Sequence, residues 1–230
     1  MEKQKRKAAE RAVEFVESGM RIGLGTGSTA RHVVDVMAEK LAAGTLKEVV
    51  GVPTSRATEA YARESGIPLG ALEDVRTLHL TIDGADEIGP GLDLIKGHGG
   101  ALLWEKLVAC ASARLVIVAD ASKLVERLGV KMALPVEVAP FGWTTHLDFL
   151  REAGARPELR LAGGRPVVTD GGNYLIDCWF EGGIPDPVGI ATTFKSRVGI
   201  IETGLFIGMA DDAVIADEKG VRVRTRKEGL

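Results

Sequence analysis

Residues 21–24, 49–52, 78–82 and 115–119 are four short extended runs, and segments of helical period stand between them. This alternation is the tightest constraint the sequence places on its fold. Strands linked through helical crossovers pair in parallel, and a parallel sheet needs helices over both faces. The first part of the chain is therefore read as α/β, a doubly wound, mostly parallel, Rossmann-like sheet. A helix over residues 3–17 leads in, with Ala9, Ala12, Val13 and Val16 on one face. Further helices are expected over 30–41, from Pro53 to about Glu64, and over 101–111.

From about Met132 the rhythm changes. Strands are expected at 134–138 and 155–161, with a helix at 145–153 between them. Extended segments at 166–169 and 174–180 flank the turn Asp170-Gly171-Gly172; a helix at 187–198 and a strand at 200–203 follow. The order βα-ββ-αβ is the split pattern of a ferredoxin-like α+β unit. The tail returns to strand character at 213–216 and 221–224. The expected organisation is a larger α/β domain, residues 1–131 plus 205–230, with a smaller α+β domain, 132–204, inserted near its end.

Composition narrows the function classes. The chain has 230 residues, enough for a substantial core, and a formal net charge of -3. That charge gives no long-range attraction to nucleic acid or an anionic membrane. No apolar run approaches the ~20 residues of a membrane span. Charged residues interrupt positions 8–22, which argues against a secretory signal. Cys110 and Cys178 form no CxxC pair and are read as buried thiols in a reducing, cytoplasmic setting.

Gly23-Leu24-Gly25-Thr26-Gly27-Ser28-Thr29-Ala30 joins the first strand to a helix. Glycines allow a tight turn and close approach of backbone N–H groups, and a helix N-terminus offers free donors and partial positive charge to an anion. Ser28 and Thr29 add hydroxyls, and either could instead cap the helix. A nucleoside triphosphate loop needs Lys after the last glycine, where Ser28 stands. A dinucleotide site needs a third glycine and an acid after the second strand, where Val52-Pro53-Thr54 stands. A small phosphorylated metabolite fits better than either.

Asp83 and Asp86 follow the third strand, at the sheet edge the glycine loop also leaves. Their bland alternatives are a helix cap or a hydrated turn; Asp83, Asp86 and Glu87 could also donate oxygens to Mg²⁺, but no metal-loop spacing is present and no metal is expected. Lys96-Gly97-His98-Gly99-Gly100 then precedes a nearly all-apolar helix whose only charges are Glu105 and Lys106. An apolar setting raises a carboxyl pKa and suits a general base; an exposed or lysine-paired Glu105 would have no such role. A base, a cationic electrophile, paired acids and a phosphate anchor together match carbonyl transfer between C1 and C2 of a sugar phosphate.

The ordered set Gly25-Thr26-Gly27-Ser28-Thr29, Asp83-Gly84-Ala85-Asp86-Glu87, Lys96-Gly-x-Gly, Glu105-Lys106 and Ala119-Asp120-Ala121-Ser122-Lys123 resembles type A ribose-5-phosphate isomerases. Leu134-Pro135-Val136-Glu137-Val138 and Val168-Thr169-Asp170-Gly171-Gly172-Asn173 extend the resemblance over almost the whole chain. It implies an aldose–ketose isomerase that interconverts D-ribose 5-phosphate and D-ribulose 5-phosphate without metal or organic cofactor, as a homodimer or dimer of dimers. By the same resemblance Glu105 is the base, Lys96 stabilises the enediolate, Asp83 serves ring opening and proton movement, and Asp86 orients hydroxyls. Ser28, Thr29, Lys123 and Lys5 hold phosphate, Thr26 and Gly27 shape its loop, and Gly84, Ala85, Gly97, His98 and Gly99 line the substrate. Lys3 and Lys7 lie close enough to exchange with Lys5. His98 departs from the common pattern of its loop; its backbone N–H is expected to stay available to a ligand and its ring to point to solvent.

The rivals are an amino-sugar-phosphate deaminase, an acyl-CoA transferase, whose nucleophilic motif is missing, and a sugar-phosphate sensor that binds without turnover. A sensor of that kind usually carries a DNA-binding module, and the chain shows no basic helix-turn-helix segment.

Overall fold

The computed structural model describes residues 2–75 and 77–226, which form two compact units. The first takes in the chain up to Ala85, Trp104–Lys123 and the residues from Met209 onward; the second is Asp86–Leu103 and Leu124–Gly208.

The first unit carries a six-stranded sheet in the order Gly220–Thr225, Asp212–Asp217, Leu115–Asp120, Leu80–Asp83, Arg21–Leu24, Val50–Pro53. Neighbouring strands are parallel except the terminal hairpin pair, which is antiparallel. Every residue of Leu80–Asp83 and Leu115–Asp120 is buried, as central parallel strands covered on both faces must be. From Arg21–Leu24 the chain steps first to Val50–Pro53 on one side and then to Leu80–Asp83 on the other. That reversal leaves a crevice beyond the carboxyl ends of the first and third strands, the place where open α/β sheets take ligands.

Helix Glu2–Val13 buries Ala8, Ala9, Ala12 and Val13 against helix Ser28–Ala42 and the strands Leu115–Asp120 and Asp212–Asp217. Its small side chains let it lie close to its neighbours. It stops earlier than the predicted 3–17, and the carbonyls of Ala12 and Val13 accept turn hydrogen bonds from the N–H groups of Phe15 and Val16.

The second unit holds a four-stranded antiparallel sheet in the order Ile200–Thr203, Leu134–Val138, Tyr174–Trp179, Arg156–Leu159. In chain order that is last, first, third, second. Helices Leu147–Glu152 and Pro187–Lys195 connect the first strand to the second and the third to the last, which is the ferredoxin-like arrangement. Val136, Leu150, Ile176, Cys178 and Phe194 fill its core.

A small antiparallel sheet of Glu87–Ile88, Leu94–Ile95 and Leu205–Phe206 also belongs to this unit. The buried Glu87 carboxylate accepts the backbone N–H groups of Gly129 (2.5 Å), Lys131 (2.7 Å) and Met132 (2.9 Å). These ties gather 86–103, 124–131 and 205–208 around the ferredoxin-like sheet, so the compact unit is larger than the segment 132–204 read from the sequence.

Two local expectations are corrected. The helix expected at 145–153 is a 3₁₀ turn, Trp143–His146, that runs into Leu147–Glu152. The nearly all-apolar helix, expected to be largely buried, is Leu102–Cys110 and leaves Leu107 51% exposed. Cys110, at its end, is exposed, whereas Cys178 is buried and its thiol pKa is pushed up by desolvation. No helix among the described residues is long and apolar enough to cross a membrane.

Candidate active site

The turn after Arg21–Leu24 is set by close packing. A Cβ on Gly25 would lie 2.2 Å from Asp83 Oδ1, so only glycine lets the two strand ends sit side by side. Asp83, itself buried, accepts the N–H of Thr26 (3.0 Å) and of Gly84 (2.7 Å) at Oδ1. Thr26 places its side chain in a cluster of hydroxyls. Its Oγ1 lies 2.8 Å from Thr54 Oγ1 and Ser55 Oγ and 3.0 Å from Thr58 Oγ1, and Thr58 in turn donates to the Gly25 carbonyl (3.1 Å). This hydroxyl cluster fixes the loop from beneath.

Helix Ser28–Ala42 starts on Gly27, whose φ of 113° only glycine adopts readily, and no side chain among the described residues caps it. Capping by Ser28 or Thr29 is thereby set aside, and the first-turn N–H groups keep their capacity for an anion. One cation reaches the same end. Lys5 Nζ donates to Ser28 Oγ (3.0 Å) and pairs with Glu2 (2.8 Å), while Lys3 and Lys7 are exposed. Burial would raise the Asp120 pKa, but hydrogen bonds from Ser122 and the positive charges of Lys123 and Lys5 outweigh it and hold the carboxyl below its ordinary value. A cavity of about 340 Å³ opens beside the loop, lined by Gly25, Thr26, Gly27, Ser28, Arg31 and Tyr61.

The second unit holds the other predicted groups. Lys96 is 2% exposed; its backbone N–H donates to the Gly204 carbonyl (2.9 Å) and its ammonium stands 5.4 Å from the centre of the Phe206 ring. Asp86 Oδ2 accepts the backbone N–H of His98 (2.9 Å). The expectation that this N–H stays open to a ligand is therefore corrected; the His98 side chain is exposed. Glu87, offered as a metal ligand, spends its oxygens on the backbone of 129–132. Among the described residues no cluster of three or more His, Cys, Asp or Glu is placed to hold a metal ion.

Glu105 lies one turn into helix Leu102–Cys110, belongs to the first unit and is 4% exposed, so it is not the solvent-edge carboxylate weighed from sequence. The first unit thus brings together the 25–29 loop, Lys5 and Asp83, with Lys123 beside Asp120. The second brings together Asp86, Lys96 and the 97–100 turn.

Two features escaped the sequence. Thr54, Ser55 and Thr58 support the loop from the end of the second strand and the helix after it; the run Thr54-Ser55 after a strand was the available signal. Arg160 donates to the carbonyls of Gly97 (3.2 Å) and His98 (2.8 Å), and nothing local to residue 160 announces that contact.

Comparison with known proteins gives the same answer along the chain. Residues 50–220 match the family ribose 5-phosphate isomerase A (phosphoriboisomerase A). The chain is 51% identical to ribose-5-phosphate isomerase A of Gloeobacter violaceus over 222 residues, 96% of this chain and 95% of that one. A solved D-ribose-5-phosphate isomerase in complex with phospho-erythronic acid superposes with a TM-score of 0.95 at 38% identity, covering 98% of this chain and 99% of that one. The ribose 5-phosphate isomerase of Plasmodium falciparum superposes with a TM-score of 0.95 at 40% identity, covering 99% of this chain and all of the other. The chain belongs to the ribose 5-phosphate isomerase A family.

Proposed function

We propose that this protein interconverts D-ribose 5-phosphate and D-ribulose 5-phosphate through an enediolate. The observation that carries the reading is the uncapped helix start at Ser28 joined to the buried Asp83 through the Thr26 N–H, which supports an anion anchor directly beside an acid–base group. Family membership supplies the reaction class.

The phosphate rests on the N–H groups and hydroxyls of Ser28 and Thr29, balanced by Lys5 and Lys123. Asp83 moves a proton from the O1 hydroxyl to the ring oxygen as the sugar opens. Glu105 then takes the proton from C2, and the electron pair moves into a C1–C2 enediolate. Lys96 stabilises the negative oxygen, as a buried cation does where charge develops. A proton passes from O2 to O1, Glu105 returns its proton to C1, and the ketose results with no net change in atoms. Asp86 orients the hydroxyls. Burial of Glu105 and Lys96 supports these roles, since solvent screens the charge developing on the sugar oxygen less there than in water.

The second unit also offers a subunit contact. Phe141 and Val198 are 97% and 96% exposed, and the Ala139–Gly199 hydrogen bond joins the segments that carry them, so a homodimer or dimer of dimers would bury both. Light scattering on the purified protein measures that assembly.

The reaction is tested by following ketose phosphate formation from ribose 5-phosphate in excess EDTA. Turnover is expected without added metal. Binding of ribose 5-phosphate without turnover would overturn the isomerase in favour of a sensor. Absence of both would direct the search to other phosphorylated sugars.

A further inference from the structure

We propose that Arg160 is a positioning residue for the isomerisation, acting with Asp177 to fix the peptide unit that links Lys96 to Asp86; the proposal rests on the isomerase reading above. Arg160 follows strand Arg156–Leu159, and its own backbone is pinned by hydrogen bonds to the Leu175 carbonyl (2.8 Å) and from the Val167 N–H (2.9 Å). Its guanidinium grips Asp177 with both edges of the carboxylate, Nε to Oδ2 at 2.8 Å and Nη2 to Oδ1. Nη1 then reaches the carbonyls of Gly97 (3.2 Å) and His98 (2.8 Å). The two side chains are only 14% and 18% exposed, so water competes weakly for these bonds.

The Gly97–His98 peptide is held from opposite sides. A trans peptide points its C=O and N–H in opposite directions. Arg160 takes the Gly97 carbonyl, and Asp86 Oδ2 takes the His98 N–H (2.9 Å). Lys96 is the residue before this unit. The turn has little slack: Gly97 has φ 98°, a Cβ there would lie 2.5 Å from Leu102 Cβ, and its carbonyl also accepts the Gly100 N–H (2.9 Å). One planar fork therefore sets the direction of the Asp86 carboxylate and the start of the turn after Lys96. Lysine cannot replace it, because a single ammonium does not span a carboxylate and two successive carbonyls in one plane.

The clamp bears on the groups assigned to chemistry, whereas the phosphate anchor lies in the first unit. Its loss should lower kcat far more than it raises KM. The decisive variant is the double substitution Arg160→Leu with Asp177→Leu, since replacing a largely buried ion pair by apolar residues generally preserves stability; Arg160→Lys is the conservative partner. Expected are a kcat about 10- to 100-fold lower, from misplacement of reacting groups, and a KM within about threefold of the parent. Melting temperature should be near parental in the double variant. Amide hydrogen exchange should quicken at 97–100 while 134–138 and 174–179 keep their protection.

Parental kcat in the double variant would overturn the proposal, as would a fall in kcat accompanied by faster exchange throughout the four-stranded sheet, the mark of a merely structural pair. If the double variant does not fold, Asp177→Asn decides. It keeps the volume and removes the charge; a kcat-specific fall supports the clamp and parental kcat overturns it. An unsubstituted protein without isomerase turnover would instead overturn the reaction assignment, and the exchange at 97–100 would then judge whether Arg160 holds the turn.

Discussion

Gly25 and Asp83 are in contact across two neighbouring parallel strands so closely that a Cβ on residue 25 would lie 2.5 Å from the Asp83 Cα as well as 2.2 Å from its carboxylate. The turn at Gly25 and Asp83 at the end of the third strand are therefore one packed object. Neither can shift without the other.

Gly25→Ala should consequently damage stability and activity together. Forcing a methyl group against backbone in a closed contact costs about 1–3 kcal/mol. Displacement of Asp83 should lower kcat/KM by about 100-fold. Thermal unfolding and steady-state kinetics measure the two effects; parental values in both would show that the strands relax apart without penalty.

Glu105→Gln should separate binding from chemistry. The amide keeps the size of the side chain but cannot take the C2 proton, and general-base catalysis contributes about 100- to 10,000-fold. Calorimetry should find ribose 5-phosphate bound nearly as tightly as before. Undiminished turnover would remove Glu105 from the mechanism.

Lys123→Ala and Lys5→Ala should act mainly on affinity. Each deletes a cation whose charge is felt at Asp120, and Lys5 also donates to Ser28 at the uncapped helix start. Charge-assisted bonds contribute about 1.5–3 kcal/mol, so KM for ribose 5-phosphate should rise about tenfold or more. An unchanged KM in either variant would take that lysine out of the phosphate site.

His146 should make stability depend on pH. It is 3% exposed, and its Nδ1 accepts a hydrogen bond from Arg197 Nε (3.1 Å). Burial first, and then the Arg197 charge, hold its pKa below the ordinary value. The unfolded chain takes up a proton as pH falls below about 6.5, while the native protein resists it. The contribution of His146 is thus full above that pH and is lost as pH falls toward the lowered native value, by at most about 1.4 kcal/mol per pH unit. Melting temperatures between pH 8 and 5.5 should fall less steeply in His146→Gln than in the parent. Equal slopes would mean that the imidazole is protonated in place.

Much of this architecture is written in local periodicity. The strands at 80–83 and 115–120 are legible because their mainly apolar residues are buried throughout under covered sheet faces, and the strand at 21–24 because the glycine loop and helix Ser28–Ala42 follow it directly. The ferredoxin-like unit is legible from the βα-ββ-αβ order of its elements. Leu205–Phe206 reads with the tail because two paired residues leave no period to follow, and its partner Leu94–Ile95 lies more than a hundred positions away. Asp83 and Ser28 stand at strand and helix ends, where position alone suggests chemistry. Arg160 does not, since its importance comes from two carbonyls sixty residues earlier. The role of Glu87 is not legible locally, because the backbone donors that claim its carboxylate lie on a turn more than forty positions away.

The strand Gly220–Thr225 forms one edge of the six-stranded sheet, with Arg222 and Arg224 exposed on it. Its partner presents Ala213, Val214, Ile215 and Ala216, all 0% exposed. Arginines on an outer strand discourage edge-to-edge pairing. Trimming the chain before residue 220 would expose an unpaired row of amides and carbonyls on an apolar ribbon, so this hairpin guards the protein against its own aggregation.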